Sequence, residues 1–214
     1  MKTATKLSPL WPALLLGSVL TACGASSAPI DSTRPTLPTG AEVRHPAAAV
    51  GVATYLSLAN DAGASVYQIP VTPDSTVTEI DPALLSNKQT GNTVAIETLI
   101  PPTASGVTVS PAGVPVLRLH WVMWQDKNSD GQLSEGEALP LLTHDEVVYA
   151  GQAVSVSFQT IDPKMAQTWQ FSQGWNRAEH YVYLPKGGDT FQRSLTTNAL
   201  QRYELHQPTP ITSM

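Results

Sequence analysis

The chain has 214 residues, with 12 basic and 17 acidic side chains and a net charge of −5 at neutral pH. An acidic chain without a basic cluster is a poor match for nucleic acid, so nucleic acid is not expected among its partners. Its one cysteine, Cys23, excludes a disulfide within the chain, so core packing and any bound metal must hold the fold together.

The first 22 residues are predicted to be an export signal. Lys2 and Lys6 supply the positive start, and residues 10–20 form an apolar core that is too short to span a bilayer comfortably. The signal ends in LTAC, which resembles the lipobox of bacterial lipoproteins. The resemblance implies that Cys23 becomes the first residue of the mature chain and carries lipid. The alternative is an ordinary secretory signal followed by an unmodified cysteine.

The stretch after the cysteine indicates where the protein resides. Residues 23–42 are rich in Ser, Thr, Pro, Gly and Ala, and they cannot bury enough apolar surface to fold, so they are predicted to be a flexible tether. Gly24 stands where an aspartate would signal retention in an inner membrane, which favours the outer membrane or the cell surface. No later apolar stretch is long enough for a transmembrane helix. The expectation is a lipid-anchored envelope protein with its domain at residues 43–214.

From residue 43 onward, short apolar runs alternate with turn residues, and these runs are predicted to be strands. The runs lie at 50–58, 65–71, 93–100, 106–110, 116–124, 146–150, 153–159, 168–172, 180–184, 190–195 and 202–206. Their spacing, together with 18 prolines that few helix interiors would accept, predicts a mostly β chain. The expected architecture is a single domain, an antiparallel β-sandwich-like fold.

Residues 126–137, DKNSDGQLSEGE, form the most informative short stretch, here named the acidic loop. Oxygen-bearing side chains occupy alternate positions, a glycine occupies position 6 and a glutamate position 12. This pattern resembles the calcium loop of the EF-hand family over these twelve residues. The resemblance implies one bound Ca²⁺ and a set of ligating residues. These ligands are Asp126, Asn128, Asp130, Gln132 through its carbonyl, Ser134 and Glu137.

The alternative for the acidic loop is a solvated turn, because D-x-N-x-D-G is good turn chemistry with or without metal. Its flanks depart from the EF-hand family. Residues 116–124 suit a strand at least as well as a helix, and Gly136 and Pro140 leave room for barely one helical turn. We therefore expect a structural calcium site between strands. Asp126→Ala or Glu137→Ala is expected to lower the melting temperature in calcium and to change little in chelator.

A search for catalytic motifs finds no metalloprotease helix, nucleophile elbow, phosphate-binding glycine loop or zinc-binding cysteine pair. The sequence THDE at 143–146 is interpreted as a polar turn that leads into a strand. Asp145 and Glu179 are a conceivable glycosidase pair, as any acidic β-protein would offer. Four histidines on separate segments are a conceivable zinc site. These are His120, His144, His180 and His206. No catalytic residue is predicted.

Aromatic residues offer one further class of function. Trp175, within the turn-like stretch SQGWNR, is the best candidate for an exposed ring that stacks on a sugar, although packing is favoured for it and for the tyrosines of YVY. The expected function is therefore that of a non-catalytic, calcium-binding, lipid-anchored envelope protein. Alternatives are a carbohydrate- or cell-wall-binding module and a hydrolase with dispersed catalytic residues. Expected partners are the membrane through Cys23, and a cell-wall glycan or another envelope protein.

Overall fold

Strands dominate the secondary structure of the computed structural model, which describes residues 41–198 and 202–208. The strands are β1 Ala41–Arg44, β2 Thr54–Ala59, β3 Ser65–Pro70, β4 Val77–Ile80, β5 Val94–Ala95, β6 Ser105–Ser110, β7 Pro115–Gln125, β8 Glu146–Ala150, β9 Val154–Thr160, β10 Met165–Phe171, β11 Gly174–Tyr183, β12 Phe191–Asn198 and β13 Arg202–Glu204. Two 3-10 helices, Pro82–Leu85 and Ile96–Leu99, are the helical elements of the described residues.

The strands form two sheets. A small sheet has the order β13-β1-β4, and a large sheet has the order β3-β2-β7-β8-β11-β12-β10-β9-β6, with β5 added beside β7. Most pairs are antiparallel, while β1 with β13 and β10 with β12 are parallel. The described residues belong to one compact unit, and the mostly β, sandwich-like single domain expected from the sequence is confirmed.

Strands β7 and β8 lie between two hydrophobic cores. In β8, Val147 packs into the core that the small sheet covers, whereas its neighbour Val148 packs into the core that β9, β10 and β12 cover. In β7, Leu117 and Val116 divide between the two cores in the same way. A strand that is buried on both faces carries a nearly continuous apolar run, which explains why residues 116–124 are apolar except for Arg118 and His120.

Strands β9 and β10 have one covered face and one solvated face. Val156, Phe158 and Trp169 are buried in the second core, whereas Ser157 and Thr168, which alternate with them, are exposed. This is the period-two pattern of an antiparallel sheet with water on one side. The sequence alternation that predicted a strand at 153–159 is thereby confirmed.

Two predicted strands are shorter than expected. Val50 and Val52 are exposed, because Gly51 between them has a φ of +86° and turns the chain before β2 begins. In the run 93–100, only Val94–Ala95 pairs with β7. The chain then leaves the sheet in a 3-10 turn, where the Thr98 hydroxyl donates to the Ala95 carbonyl at 2.7 Å and so competes with ladder pairing.

The start of the domain and the position of Trp175 also differ from expectation. β1 begins at Ala41, two residues before the predicted boundary at 43, and Ala41 is buried in the first core. Trp175 was expected in a turn, but the turn ends at Gly174, with φ of +91°, and Trp175 is already on β11. Cys23 and most of the predicted tether lie outside the described residues. None of the described helical segments has the length and apolar character needed to cross a membrane.

Candidate functional site

The acidic loop is an excursion from the end of β7 whose two ends are fastened together. The Gln125 amide donates to the Glu137 carbonyl at 3.0 Å, and the Leu139 amide donates to the Met123 carbonyl at 2.8 Å. The chain therefore returns from the loop as a short antiparallel extension beside β7. The expected strand before the loop is confirmed, and the residues that follow it form turns without a helix.

In the first half of the loop, side-chain oxygens accept hydrogen bonds from the loop's own amides. Asp126 Oδ1 accepts from the Asp130 amide at 3.1 Å, and Asp126 Oδ2 accepts from the Gly131 amide at 3.0 Å. Asn128 Oδ1 also accepts from the Asp130 amide, at 2.9 Å, and Asp130 Oδ1 accepts from the Gln132 amide at 2.8 Å. These bonds tie the side chains of the first three predicted ligands to the backbone of one tight turn.

Glu137 closes the second half of the loop. Its side chain is buried, with 4% of the residue exposed. Oε1 accepts from the Lys127 amide and Oε2 from the Ser134 amide, both at 2.9 Å. A buried carboxylate requires such donors, because an unpaired buried charge is strongly destabilising. Position 12 therefore joins the beginning of the loop to its end.

The backbone of the loop turns through three residues in the left-handed region, one of which is Gly136, with a φ of +82°. Gly131 has a φ of +69°, which is the conformation that favours glycine at the sixth position, and Ser129 has a φ of +62°. The loop is also joined to a neighbouring strand, since Gln68 Nε2 of β3 donates to the Gly131 carbonyl at 3.2 Å.

The donor set of the loop suits calcium in type, because each predicted ligand offers oxygen and calcium prefers oxygen ligands. A carboxylate oxygen that accepts one amide keeps a second lone pair for a cation. Within the described residues, however, no group of three or more His, Cys, Asp or Glu side chains is placed to hold a metal ion. Asn128 Nδ2 also donates to Asp130 Oδ2 at 3.0 Å, which engages one carboxylate oxygen.

A second cluster of polar groups, here named the histidine cleft, lies where β7, β8, β11 and β12 meet. The cleft has a volume of about 230 Å³ and is lined by Asp61, Arg118, Leu119, His120, Thr143, His144, Glu146, His180 and Arg193. The His144 ring lies 5.9 Å from the His180 ring and 5.3 Å from the His206 ring, measured between centroids. The tertiary structure thus gathers histidines that are far apart in sequence, although none of them belongs to a metal-holding group in the described chain.

Glu146 is the electrostatic centre of the cleft. Arg118 donates to both of its carboxylate oxygens, at 2.7 and 3.0 Å, and Arg193 lies 3.7 Å away. Arg193 Nε also donates to His180 Nε2 at 2.7 Å, so this ring nitrogen carries no proton. Burial, followed by the charges of Arg193 and His144, lowers the pKa of His180. His180 is therefore held in its neutral form.

The sequence THDE is a polar lead-in to β8, which begins at Glu146. Asp145 accepts from Arg177 at 2.6 and 3.0 Å and from the His180 amide at 3.2 Å. Its carboxylate is therefore engaged in an ion pair with Arg177. The pairing of Asp145 with Glu179 as glycosidase carboxylates stays a prediction.

The exposed aromatic rings of β11 are tyrosines and not the tryptophan that was the candidate for sugar stacking. Trp175 is 2% exposed, and its ring lies 5.4 Å from that of Tyr149, its partner in register on β8. The packing that was favoured for Trp175 is therefore confirmed, and the alternative of an exposed ring is wrong. Tyr181 and Tyr183, for which packing was favoured, are 62% and 48% exposed. Their alternation in YVY places both on one side of β11, a signal that the sequence carried without showing which side is solvated.

Comparison with protein-family models, with curated protein sequences and with solved structures gives no match to this chain. The geometry of the described residues therefore carries the functional argument by itself.

Proposed function

We propose that this chain is a non-catalytic, lipid-anchored protein of the bacterial cell envelope whose β-domain is stabilised by one calcium ion in the acidic loop. The observation that carries the calcium proposal is the way in which the loop's own amides hold the carboxylates of Asp126 and Glu137. These carboxylates stand at the two ends of the loop, and each accepts two amides from within it. Lipid attachment at Cys23 is proposed from its lipobox-like context alone.

The ion would be held by side-chain oxygens and one carbonyl. The ligands would be Asp126, Asn128, Asp130, the Gln132 carbonyl, Ser134 and Glu137. Bound calcium would supply positive charge that offsets the repulsion among three carboxylates in a short loop. The loop's own amides already hold Asp126 and Glu137 in place, so a smaller part of the ordering cost remains for metal binding.

A structural role follows from the attachments of the loop. Its first amide, that of Asp126, donates to the Ala53 carbonyl at 2.9 Å, just before β2, and its Gly131 carbonyl accepts from Gln68 of β3. Order in the loop would therefore extend to the ends of β2, β3 and β7. A sensor role is disfavoured, because EF-hand sensors act by opening a pair of helices and the flanks here are a strand and a turn.

The non-catalytic part of the proposal is supported by the engagement of the best-placed acid–base groups. Asp145 is paired with Arg177, Glu146 with Arg118, and His180 accepts from Arg193. General acid–base catalysis requires a group that can exchange a proton with a substrate. Each of these three groups is instead bonded to a guanidinium group.

The test is calcium titration by calorimetry, combined with thermal melts in calcium and in chelator. Asp130→Asn removes one ligand charge but keeps the Oδ1 acceptor for the Gln132 amide. Glu135→Gln makes the same charge change in the same loop at an exposed position outside the predicted ligand set. One calcium per chain is expected, with a stabilisation of about 2.7 kcal/mol when free calcium is 100 times Kd.

The expected contrast is between the two variants. Glu135→Gln should keep the calcium-dependent rise in melting temperature and Asp130→Asn should lose most of it. In chelator, Glu135→Gln should melt like the parent protein, and Asp130→Asn should differ from it only through loss of the exposed hydrogen bond from Asn128. Absence of binding at millimolar calcium would reduce the acidic loop to a solvated turn. Equal responses of the two variants to calcium would show that the loop binds by bulk charge and not through the proposed ligands.

A further inference from the structure

Five strands of the large sheet, in the spatial order β11-β12-β10-β9-β6, present one face to solvent. The opposite face of the same strands carries Val156, Trp169 and Leu195, which are buried in the second core. Because side chains alternate between faces along a strand, the register of each pair fixes which residues share the solvated face. This surface is here named the hydroxyl face, and its side chains lie in three rows that cross the strands.

The middle row contains a hydroxyl on each of the five strands. Its members are Tyr181, Ser194, Thr168, Ser157 and Thr108. Neighbouring strands are about 4.8 Å apart, so the row extends over roughly 19 Å. Hydroxyls repeated at this interval, comparable with the length of one sugar unit, form a regular line of groups that both donate and accept.

The two flanking rows continue the same chemistry. One of them contains Tyr183, Gln192, Ala166 and Gln159. The other contains Glu179, Thr196, Gln170, Ser155 and Ser110. Four of this second row, all except Glu179, also line a shallow groove of about 310 Å³. Carboxamides and hydroxyls therefore dominate all three rows.

The hydroxyl face is almost uncharged. Glu179 is the one ionisable acid or base other than tyrosine in the three rows, all of which lie within the described residues. The Ser, Thr and Gln side chains of the face take no part in the side-chain hydrogen bonds found in the described chain, so water meets their donors and acceptors. A charged ligand finds no complement here, and a lipid tail or an apolar protein surface finds little apolar area.

Tyr181 and Tyr183 add a stacking platform at one edge of the face. Their rings are 5.6 Å apart between centroids, their planes differ by 38°, and both are strongly exposed. An aromatic ring with an accessible face packs against the C–H groups of a sugar ring, while its phenolic hydroxyl remains available for hydrogen bonding. Two such rings beside a line of hydroxyls combine the apolar and polar contacts that a polyol requires.

We infer that the hydroxyl face binds an extended polysaccharide chain. Tyr181 and Tyr183 stack on its sugar rings, and the Ser, Thr and Gln side chains of the rows hydrogen-bond its hydroxyls. The flat, repeating arrangement suits a straight β-linked glycan in preference to a compact ligand. The site is separate from the acidic loop and does not depend on the proposed calcium ion.

The test is a binding isotherm from co-sedimentation of the purified protein with three insoluble β-linked glycans, namely cellulose, chitin and peptidoglycan sacculi. The Tyr181→Ala/Tyr183→Ala double variant should bind roughly tenfold more weakly, or not at all. Phe191→Ala is the matched control, because Phe191 is 39% exposed but lies on the opposite side of the same strand pair. Its isotherm should match that of the parent protein.

The outcomes separate clearly. Tyrosine-dependent binding to any of the three glycans supports the inference and identifies the source of the sugar chain. Failure to bind all three, or equal binding by the double variant, overturns it. The aromatic rings removed in these variants are exposed, so each variant should keep the melting temperature of the parent protein. That measurement verifies that the variants fold. Asp130→Asn should bind glycan normally, so failure of the calcium proposal is distinguishable from failure of the glycan proposal.

Discussion

The acidic loop and the histidine cleft both concentrate charge, but they are built in opposite ways. In the loop, the carboxylate of Glu137 accepts from Lys127, ten residues away, and from Ser134, three residues away. In the cleft, Glu146 accepts from Arg118, which is 28 residues distant in the chain. The loop is thus organised by its own backbone, whereas the cleft exists only where separate strands meet.

This difference teaches where each region draws its stability. Local amide bonds can form within a short segment, and losing one of them perturbs that segment first. The sheet itself shields the cleft groups from water. A charge left there without its partner therefore destabilises the whole fold. Substitutions in the two regions should therefore differ in size, in pH dependence and in their response to calcium.

The largest effect is expected for Glu146→Gln in the cleft. The change leaves the guanidinium of Arg118, whose side chain is 15% exposed, without its carboxylate, and it also removes the neighbour of Arg193. We expect a loss of about 2–4 kcal/mol in the free energy of unfolding, measured by urea denaturation. A loss within the range of a surface ion pair, below about 1 kcal/mol, would contradict a cleft that is central to stability.

The next effect is expected for Glu137→Ala in chelator. Its buried carboxylate accepts two loop amides, so truncation should cost about 1–3 kcal/mol even without calcium, which revises the sequence-based expectation of little change. Glu137→Gln keeps one acceptor and should recover part of the loss. The measurement is urea unfolding in chelator, and wild-type stability of Glu137→Ala there would show that the observed loop bonds contribute nothing.

A smaller, pH-dependent effect is expected from His180. Its pKa is lowered by burial and by Arg193 and His144, against the opposing charges of Glu146 and Asp145. The unfolded chain therefore takes up this proton first, near pH 6.5, and stability falls as pH decreases from there through the lower folded pKa. Between pH 7 and pH 5, the free energy of unfolding should decline less steeply in His180→Gln than in the parent protein. An unchanged slope would contradict a lowered pKa of His180.

The smallest effect is expected for Asp189→Asn. Lys164 holds the pKa of Asp189 below its usual range, but both side chains are exposed and solvent screens the pair. No measurable change in melting temperature is expected at physiological salt. A shift as large as that of Glu137→Ala would mean that surface and interior charges count alike in this protein, which would erase the contrast between the regions.

The sequence predicted strands best where one face of the strand is buried and the other is solvated. In 153–159, apolar and polar residues alternate because β9 has water on one side, and the strand was predicted nearly residue for residue. The prediction failed where a side-chain hydrogen bond or a glycine turn interrupted the strand locally. The Thr98 hydroxyl and the turn at Gly51 each interrupt an alternation that the sequence suggested would continue.

The candidate sites show the same contrast between features set by neighbouring residues and features set by the packing of the sheets. The tight turn of the acidic loop could be predicted, because twelve consecutive residues supply both the carboxylates and the amides that bind them. Calcium binding by the loop stays a prediction. The exposure of Tyr181 could not be predicted, since Tyr181 lies on the same face of β11 as the buried Trp175. The core beneath the small sheet covers Trp175 and leaves Tyr181 in water.

The sequence by itself determined the β class, the positions of most strands and the spacing of oxygens in the acidic loop, since these depend on contacts between residues close in the chain. Only the tertiary structure decided the meeting of His144, His180 and His206, the neutralisation of Glu146, and the five-strand register of the hydroxyl face. These features depend on strand order and on which face is covered. Such pairings lie between segments far apart in the chain, and no local pattern encodes them.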